Sequence, residues 1–455
     1  MKRNLLLLSL SLFSFNTIIH NKTPETKTTI DGPKKTTIKI TKKVKKPWTF
    51  IVYIAGDNDL DYFAGKNIKE MAKVGSSKNI NIIAQVDRQG YYSNTKRLYI
   101  EKHKAVQVDK DSPSSQHKLD FGSAFTLIDC FEWAVRDYPA DHYALILWNH
   151  GSGILDNVGR GASDASELFN FNPETNMLEI NRNIGYLDYI QQKNKRGICF
   201  GDTYGTYLTN QKLEYGLKQI QLNILNNKKI DIIGFDACLM GMIEVGNLIR
   251  PYTDYMIASQ EIELGAGWPY NKVLEPFASK SLTPKEFGDH IVNVYSDHYK
   301  SITYDYTLSS VNLNNLYFVE KSLHKTCHLL VQALEHQRNN TVAELIKTSR
   351  SQYLCTCYSE PSYIDLHHFL TNIMNSIDKV VLPIEKKCLI NKIKESIKET
   401  IKRIDLSVEK NLCGRNLAKS KGISIYFPTR FIDQSYTITP FAKHHAWSDL
   451  LEMLN

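Results

Sequence analysis

The stretch that most limits how this chain can fold is residues 230–241, Ile-Asp-Ile-Ile-Gly-Phe-Asp-Ala-Cys-Leu-Met-Gly. An apolar run of strand length ends in an acid, a small residue and a thiol. A helical pattern carrying Met242, Val245, Leu248 and Ile249 then begins at once. Strand, sharp turn and helix in that order suit an open α/β sheet, in which reactive groups collect beyond the carboxyl ends of the strands. Cys238 stands at such an end. A lone cysteine there is more often a small buried apolar side chain, so the thiol needs a partner before it carries a function.

The partner comes from residues 143–153, Tyr-Ala-Leu-Ile-Leu-Trp-Asn-His-Gly-Ser-Gly. A short apolar run again reads as a strand buried on both faces, and it delivers one titratable side chain, His150, at its end. A histidine after one strand and a cysteine after another strand of the same sheet form a candidate pair.

The remaining pattern supports such a sheet. Residues 49–55 are a buried strand, followed by Asp57, Asp59 and Asp61 and a helix carrying Ile68, Met71 and Ala72. Residues 79–86 give a second strand, 97–108 a hairpin and 123–137 a helix. Strands alternating with helices predict a mostly parallel, doubly wound α/β sheet. The three aspartates suit either a hard cation such as calcium or the N-terminus of the helix that follows, and the helix is preferred.

Residues 152–197 break the pattern with an asparagine-rich insertion containing Arg160, Lys193, Lys195 and Arg196. Strand character resumes at Ile198-Cys199-Phe200, a helix follows over 208–225, and Tyr255 to Ser259 reads as another strand. Beyond residue 281 the chain is expected to be mainly helical. A capping box at Thr283-Pro284-Lys285-Glu286 opens that region, helices are placed at 313–335, 341–350, 365–376 and 383–404, a strand at 304–312, and a last strand at 422–428 that could rejoin the sheet.

Lys2 and Arg3 precede an apolar segment, residues 5–15, that is too short to span a bilayer and reads as a secretory signal within residues 1–20. Export to the medium or the cell envelope is the expectation, with retention as an uncleaved anchor the alternative. Residues 21–46 hold little apolar content and read as a basic, solvated linker. Over residues 1–46, eleven Lys and Arg stand against Glu25 and Asp31, a net of +9 where the whole chain carries +8. The folded remainder is therefore near −1, which removes the main support for nucleic acid as a partner and for stable membrane insertion. The eight cysteines are scattered, so neither a disulfide framework nor a zinc site is inferred.

Together Trp148-Asn149-His150-Gly151, residues 236–241, Ala258-Ser259-Gln260-Glu261 with Gly267-Trp268-Pro269-Tyr270, and residues 422–428 resemble the clostripain family of cysteine endopeptidases. The resemblance runs from about Trp48 to Pro428. It implies a caspase-like α/β/α sandwich with its catalytic core over 47–280, a helical C-terminal region over 281–455, and a monomer that cleaves protein or peptide substrates after Arg or Lys. His150 would be the general acid and Cys238 the nucleophile. The backbone N–H groups of Gly151 and Cys238 would hold the oxyanion, and a helix opening at Cys238 would favour the thiolate. Asp236 matches the family's acid at the base of the first specificity pocket, with a helix N-cap as its plainer role. Ser259, Gln260, Glu261 and Trp268 are expected at the substrate. The resemblance also implies self-cleavage between His150 and Cys238, here placed at Arg196-Gly197. No cofactor is required for the chemistry, and calcium stays open without ligands. A catalytically silent member of the fold, acting as a binding module, is the alternative function. A small-molecule α/β hydrolase is disfavoured, since there is no Gly-x-Ser-x-Gly elbow.

Overall fold

The computed structural model describes residues 44–90, 93–110, 113–156, 168–182, 198–336 and 340–454. The segment read as a secretory signal, most of the expected linker and Arg160, Lys193, Lys195, Arg196 and Gly197 lie outside the described residues. Residues 43–455 group into one compact unit.

Its centre is a nine-stranded sheet in the order β14-β12-β11-β10-β5-β1-β2-β3-β4. Here β1 is Lys46–Gly56, β2 Ile80–Arg88, β3 Lys96–Glu101, β4 Lys104–Gln107, β5 Ala140–Trp148, β10 Ile230–Asp236, β11 Thr253–Ala258, β12 Thr307–Asn312 and β14 Val408–Cys413. The inner strands β11, β10, β5, β1 and β2 run parallel, and antiparallel strands finish both edges. Alternation along each strand builds two cores. In β1, Ile51 and Tyr53 face one side and Trp48, Phe50, Val52 and Ile54 the other. In β5, Leu145 and Leu147 are opposed by Ala144, Ile146 and Trp148. Helices cover both faces, which is the α/β/α sandwich that the continuous apolar runs require.

The strand order places a topological switch between β1 and β5. The chain proceeds from β1 to β2 on one side, and from β5 through β10 to β11 on the other. The crevice beyond the carboxyl ends at such a switch is where open α/β sheets bind ligands. Asp236 pairs in register with Trp148, so the loops after β10 and β5 leave the sheet side by side. His150 and Cys238 are thereby brought to one place.

Three expectations change. First, the helix after Cys238 does not open there: it spans Ile243–Ile249 with Met242 at its N-cap. Residues 239–241 form a turn and loop, not a helix, because Leu239 N–H bonds to Glu261 O (3.1 Å) and Gly241 N–H to Ser259 O (2.7 Å). Second, the strand near residue 425, β15 (Ser424–Tyr426), does not join the large sheet but pairs antiparallel with β13 (Tyr363–Asp365). Third, the sheet gains an unexpected edge strand, β14, which pairs with β12, itself within the strand expected at 304–312. The capping box at Thr283 is present: Thr283 Oγ1 accepts from Glu286 N–H, and Glu286 Oε2 accepts from Thr283 N–H at 2.8 Å. Part of the insertion forms a hairpin, β6 (Phe169–Asn172) and β7 (Met177–Ile180), and residues 198–208 form a second, β8 (Ile198–Gly201) and β9 (Thr206–Leu208). Among the described residues no helix is long and apolar enough to cross a membrane.

Candidate active site

The carboxyl ends of β5 and β10 frame a cavity of about 40 Å³ lined by His150, Cys238, Asp236, Glu263 and Gly267, with Leu168 and Phe169 reaching in from the insertion. Room for a water takes roughly 10–15 Å³ on this measure, so the cavity holds a few waters.

Cys238 Sγ accepts a hydrogen bond from the backbone N–H of Glu263 at 3.2 Å. The helix after Cys238 starts only at Ile243, so the thiol does not open it, and the Glu263 N–H supplies a dipole that favours a thiolate. Burial pushes the Cys130 thiol up to about 12 and raises those of Cys355 and Cys357 as well, which disfavours their thiolates. Gly151 packs its backbone onto the turn that carries Cys238. A Cβ at Gly151 would meet Cys238 O at 2.4 Å, so glycine is required there by close approach.

His150 is buried, and its Nε2 lies 2.9 Å from Asp59 Oδ1. The other two aspartates of that cluster go elsewhere. Asp57 Oδ1 pairs with Lys118 at 3.1 Å, while Asp61 is gripped by Arg88 through two nitrogens. Each carboxylate already has its own basic partner, so the three do not fit a shared cation. Among the described residues no group of three His, Cys, Asp or Glu could hold a metal ion. The calcium reading of Asp57, Asp59 and Asp61 is therefore set aside.

Asp236 is the last residue of β10 and is not a helix cap. Its Oδ2 accepts from Tyr270 OH (2.7 Å) and Trp268 N–H (3.2 Å), and a Cβ on Gly267 would sit 2.8 Å from that same oxygen. Burial pushes its carboxyl up to about 6. Beside it stands Glu263, whose carboxyl is driven well above the glutamate range by burial and by the charge of Asp236. Neither Glu263 oxygen has a hydrogen-bond partner at bonding distance among the described residues. A buried acid pair of this kind holds a proton or awaits a cation.

Several expected contacts fall elsewhere. Ser259 Oγ bonds to Glu261 O and Thr307 Oγ1, Gln260 bridges Asp365 and Gly422 N–H, and Glu261 Oε1 accepts from the N–H groups of Ile262 and Ser359. None of the three lines the cavity, because their side chains knit β11 to the C-terminal segments. Trp268 is fully buried beneath Gly234, and its backbone N–H donates to Asp236. Sequence reasoning missed Glu263, which lies between the quoted stretches 258–261 and 267–270, and the pairing of Asp59 with a histidine 91 residues away.

The sequence profile described as the clostripain family matches residues 52–182 and 169–453. Clostripain from Hathewaya histolytica is 28% identical over 263 residues, which cover 52% of this chain and 44% of that protein, so the match spans less than half of the relative's length. A secreted C11 cysteine protease of Bacteroides thetaiotaomicron, solved with an irreversible peptide inhibitor, shares the fold with a TM-score of 0.56 at 19% identity, over 89% of this chain and 99% of that one. An inactive zymogen C11 protease of Parabacteroides distasonis gives 0.53 at 19% identity, over 90% and 98%.

Proposed function

Because the chain belongs to the clostripain family, we propose that it is a cysteine endopeptidase that cleaves after basic residues, with Cys238 as nucleophile and His150 as its acid and base. The observation that carries the specificity is the buried pair Asp236 and Glu263, which lines the same cavity as the thiol and has no Lys or Arg ion-paired to it among the described residues. A basic P1 side chain would supply the missing cation. Such a desolvated charge pair is worth roughly 2–5 kcal/mol when one partner is removed, ample to choose between a basic and a neutral side chain.

In the reaction the Cys238 proton passes to His150, and the thiolate attacks the scissile carbonyl carbon. The negative oxygen is held by the N–H groups of Gly151 and Cys238. The C–N bond breaks as His150 returns its proton to the leaving amine, leaving an acyl thioester. Water then attacks that ester, giving its proton to His150, and the thiol is restored as the acid departs.

Leu168 and Phe169 of the insertion form part of the wall of the cavity that holds the thiol and the acid pair. This supports a precursor that opens on cleavage of the insertion, for which Arg196-Gly197 is the proposed bond. The N-terminal apolar segment supports export. The test is hydrolysis of fluorogenic peptides ending in Arg, Lys or Ala by wild type and by Cys238→Ala, before and after light trypsin treatment. Turnover of the basic peptides by wild type alone is expected. An inert wild type after nicking overturns the reading in favour of a silent binding module, and equal rates from both proteins remove Cys238 as the nucleophile.

A further inference from the structure

We propose that Asp59 is a positioning residue for His150, and that β8, the strand following the proposed cleavage bond, holds Asp59 and His150 at their working distance. The inference deepens the peptidase reading and rests on it for the role of His150. Asp59 Oδ1 lies 2.9 Å from His150 Nε2, with the two side chains 21% and 5% exposed. A carboxylate can only accept, so the ring proton sits on Nε2 and Nδ1 is the nitrogen left to exchange a proton with the thiol. The arrangement fixes both the tautomer and the ring plane.

The loop carrying Asp59 is not held by β1 alone. Asn58 Nδ2 donates to Ala55 O and to Phe200 O, both at 3.0 Å, and its Oδ1 accepts from Leu60 N–H at 2.9 Å. Asn149, next to the histidine, donates to the same Phe200 O at 3.1 Å and accepts from Phe200 N–H at 3.0 Å. Asp57 adds two bonds, its backbone O from Asp202 N–H (2.7 Å) and its Oδ2 from Thr203 N–H (2.8 Å). One strand of the insertion side therefore ties the loop of the acid to the loop of the imidazole across the topological switch. A plain helix-end acid explains none of this, since the acid in the first turn of the following helix is Asp61, bound to Arg88.

The experiment measures alkylation of Cys238 by iodoacetamide from pH 5 to 9, read by mass on the peptide containing it. Wild type, Asp59→Asn and Asp59→Glu are compared, with kcat and KM for an Arg peptide measured alongside. The alkylation readout needs no peptidase activity, so it stands even where the peptidase reading fails. For Asp59→Asn the expected result is an alkylation midpoint about one pH unit higher and a kcat roughly ten- to a hundredfold lower at similar KM, with Asp59→Glu closer to wild type. An Asn variant that superimposes on wild type in the alkylation profile, or a Glu variant no nearer to wild type than Asn, overturns the proposal. Should the Asn variant fail to fold, Asp59→Ser is read by the same two criteria.

Discussion

Two pairs of buried acids stand at the carboxyl ends of the parallel strands, and they differ in whether the chain provides a cation. Asp57 and Asp87, after β1 and in β2, share the ammonium of Lys118 at 3.1 and 2.9 Å. Asp236 and Glu263, at the end of β10 and after β11, share none among the described residues, although they too are buried. The first pair is complete within the fold. The second is complete only with a basic group brought from outside, and it is the one that lines a cavity with a thiol and an imidazole. A buried carboxyl pair thus marks a binding site when its countercharge is missing, and a structural knot when it is built in.

The largest test of this contrast removes the built-in cation. Lys118→Met leaves two buried carboxylates without a counterion and is expected to cost roughly 3–5 kcal/mol of stability in urea denaturation. A loss below about 1 kcal/mol would show that the knot is not held by its charge. Asp236→Asn should do the reverse. An amide oxygen still accepts from Tyr270 OH and Trp268 N–H, so the fold is kept, while kcat/KM for an Arg peptide falls by the equivalent of roughly 2–5 kcal/mol. Equal losses for Arg and Ala peptides would remove Asp236 from specificity.

The pH dependence separates the same two roles of Asp236. Burial raises its carboxyl from 3.8 to about 6, so between those values the folded state holds a proton that the unfolded state has released. The stability linked to it is complete below about pH 3.8 and is lost as pH rises through about 6. Asp236→Asn should therefore melt above wild type at pH 7.5, with the gap closing by pH 4. Cleavage after basic residues moves oppositely, rising through pH 6 as the carboxylate forms. Melting curves for both proteins at the two pH values, set against kcat/KM, check the opposition. A gap that persists unchanged at pH 4 breaks it.

How far the sequence revealed this follows from the range of the forces involved. The strands carrying His150 and Cys238 were legible because a strand covered on both faces must be apolar throughout, and residues 143–148 and 230–235 nearly are. The edge strand β14, Val-Glu-Lys-Asn-Leu-Cys, is half-buried along its whole length and carries no such pattern. The start of the helix after Cys238 was misplaced because its periodicity does not show that residues 239–241 are held by the loop after β11. Leu239 even takes a positive φ of 65° to do so. Glu261 and Glu263 look alike in the sequence. Only the fold turns one onto the Ser359 N–H and the other into the cavity.

Glu263 gives the smallest and most discriminating effect. With its carboxyl raised well above the usual range by burial and by Asp236, it is the member of the pair that stays protonated when Asp236 ionises. Glu263→Gln therefore removes no charge at neutral pH and preserves a neutral group of the same shape. The expected change is about 1 kcal/mol, near fivefold in kcat/KM for an Arg peptide, against the far larger loss from Asp236→Asn. The backbone N–H that reaches Cys238 Sγ is unaffected by the substitution, so alkylation of the thiol should keep its wild-type rate. A loss as large for Gln as for Asn at 236 would mean that the charge resides on Glu263, and the assignment within the pair would have to be exchanged.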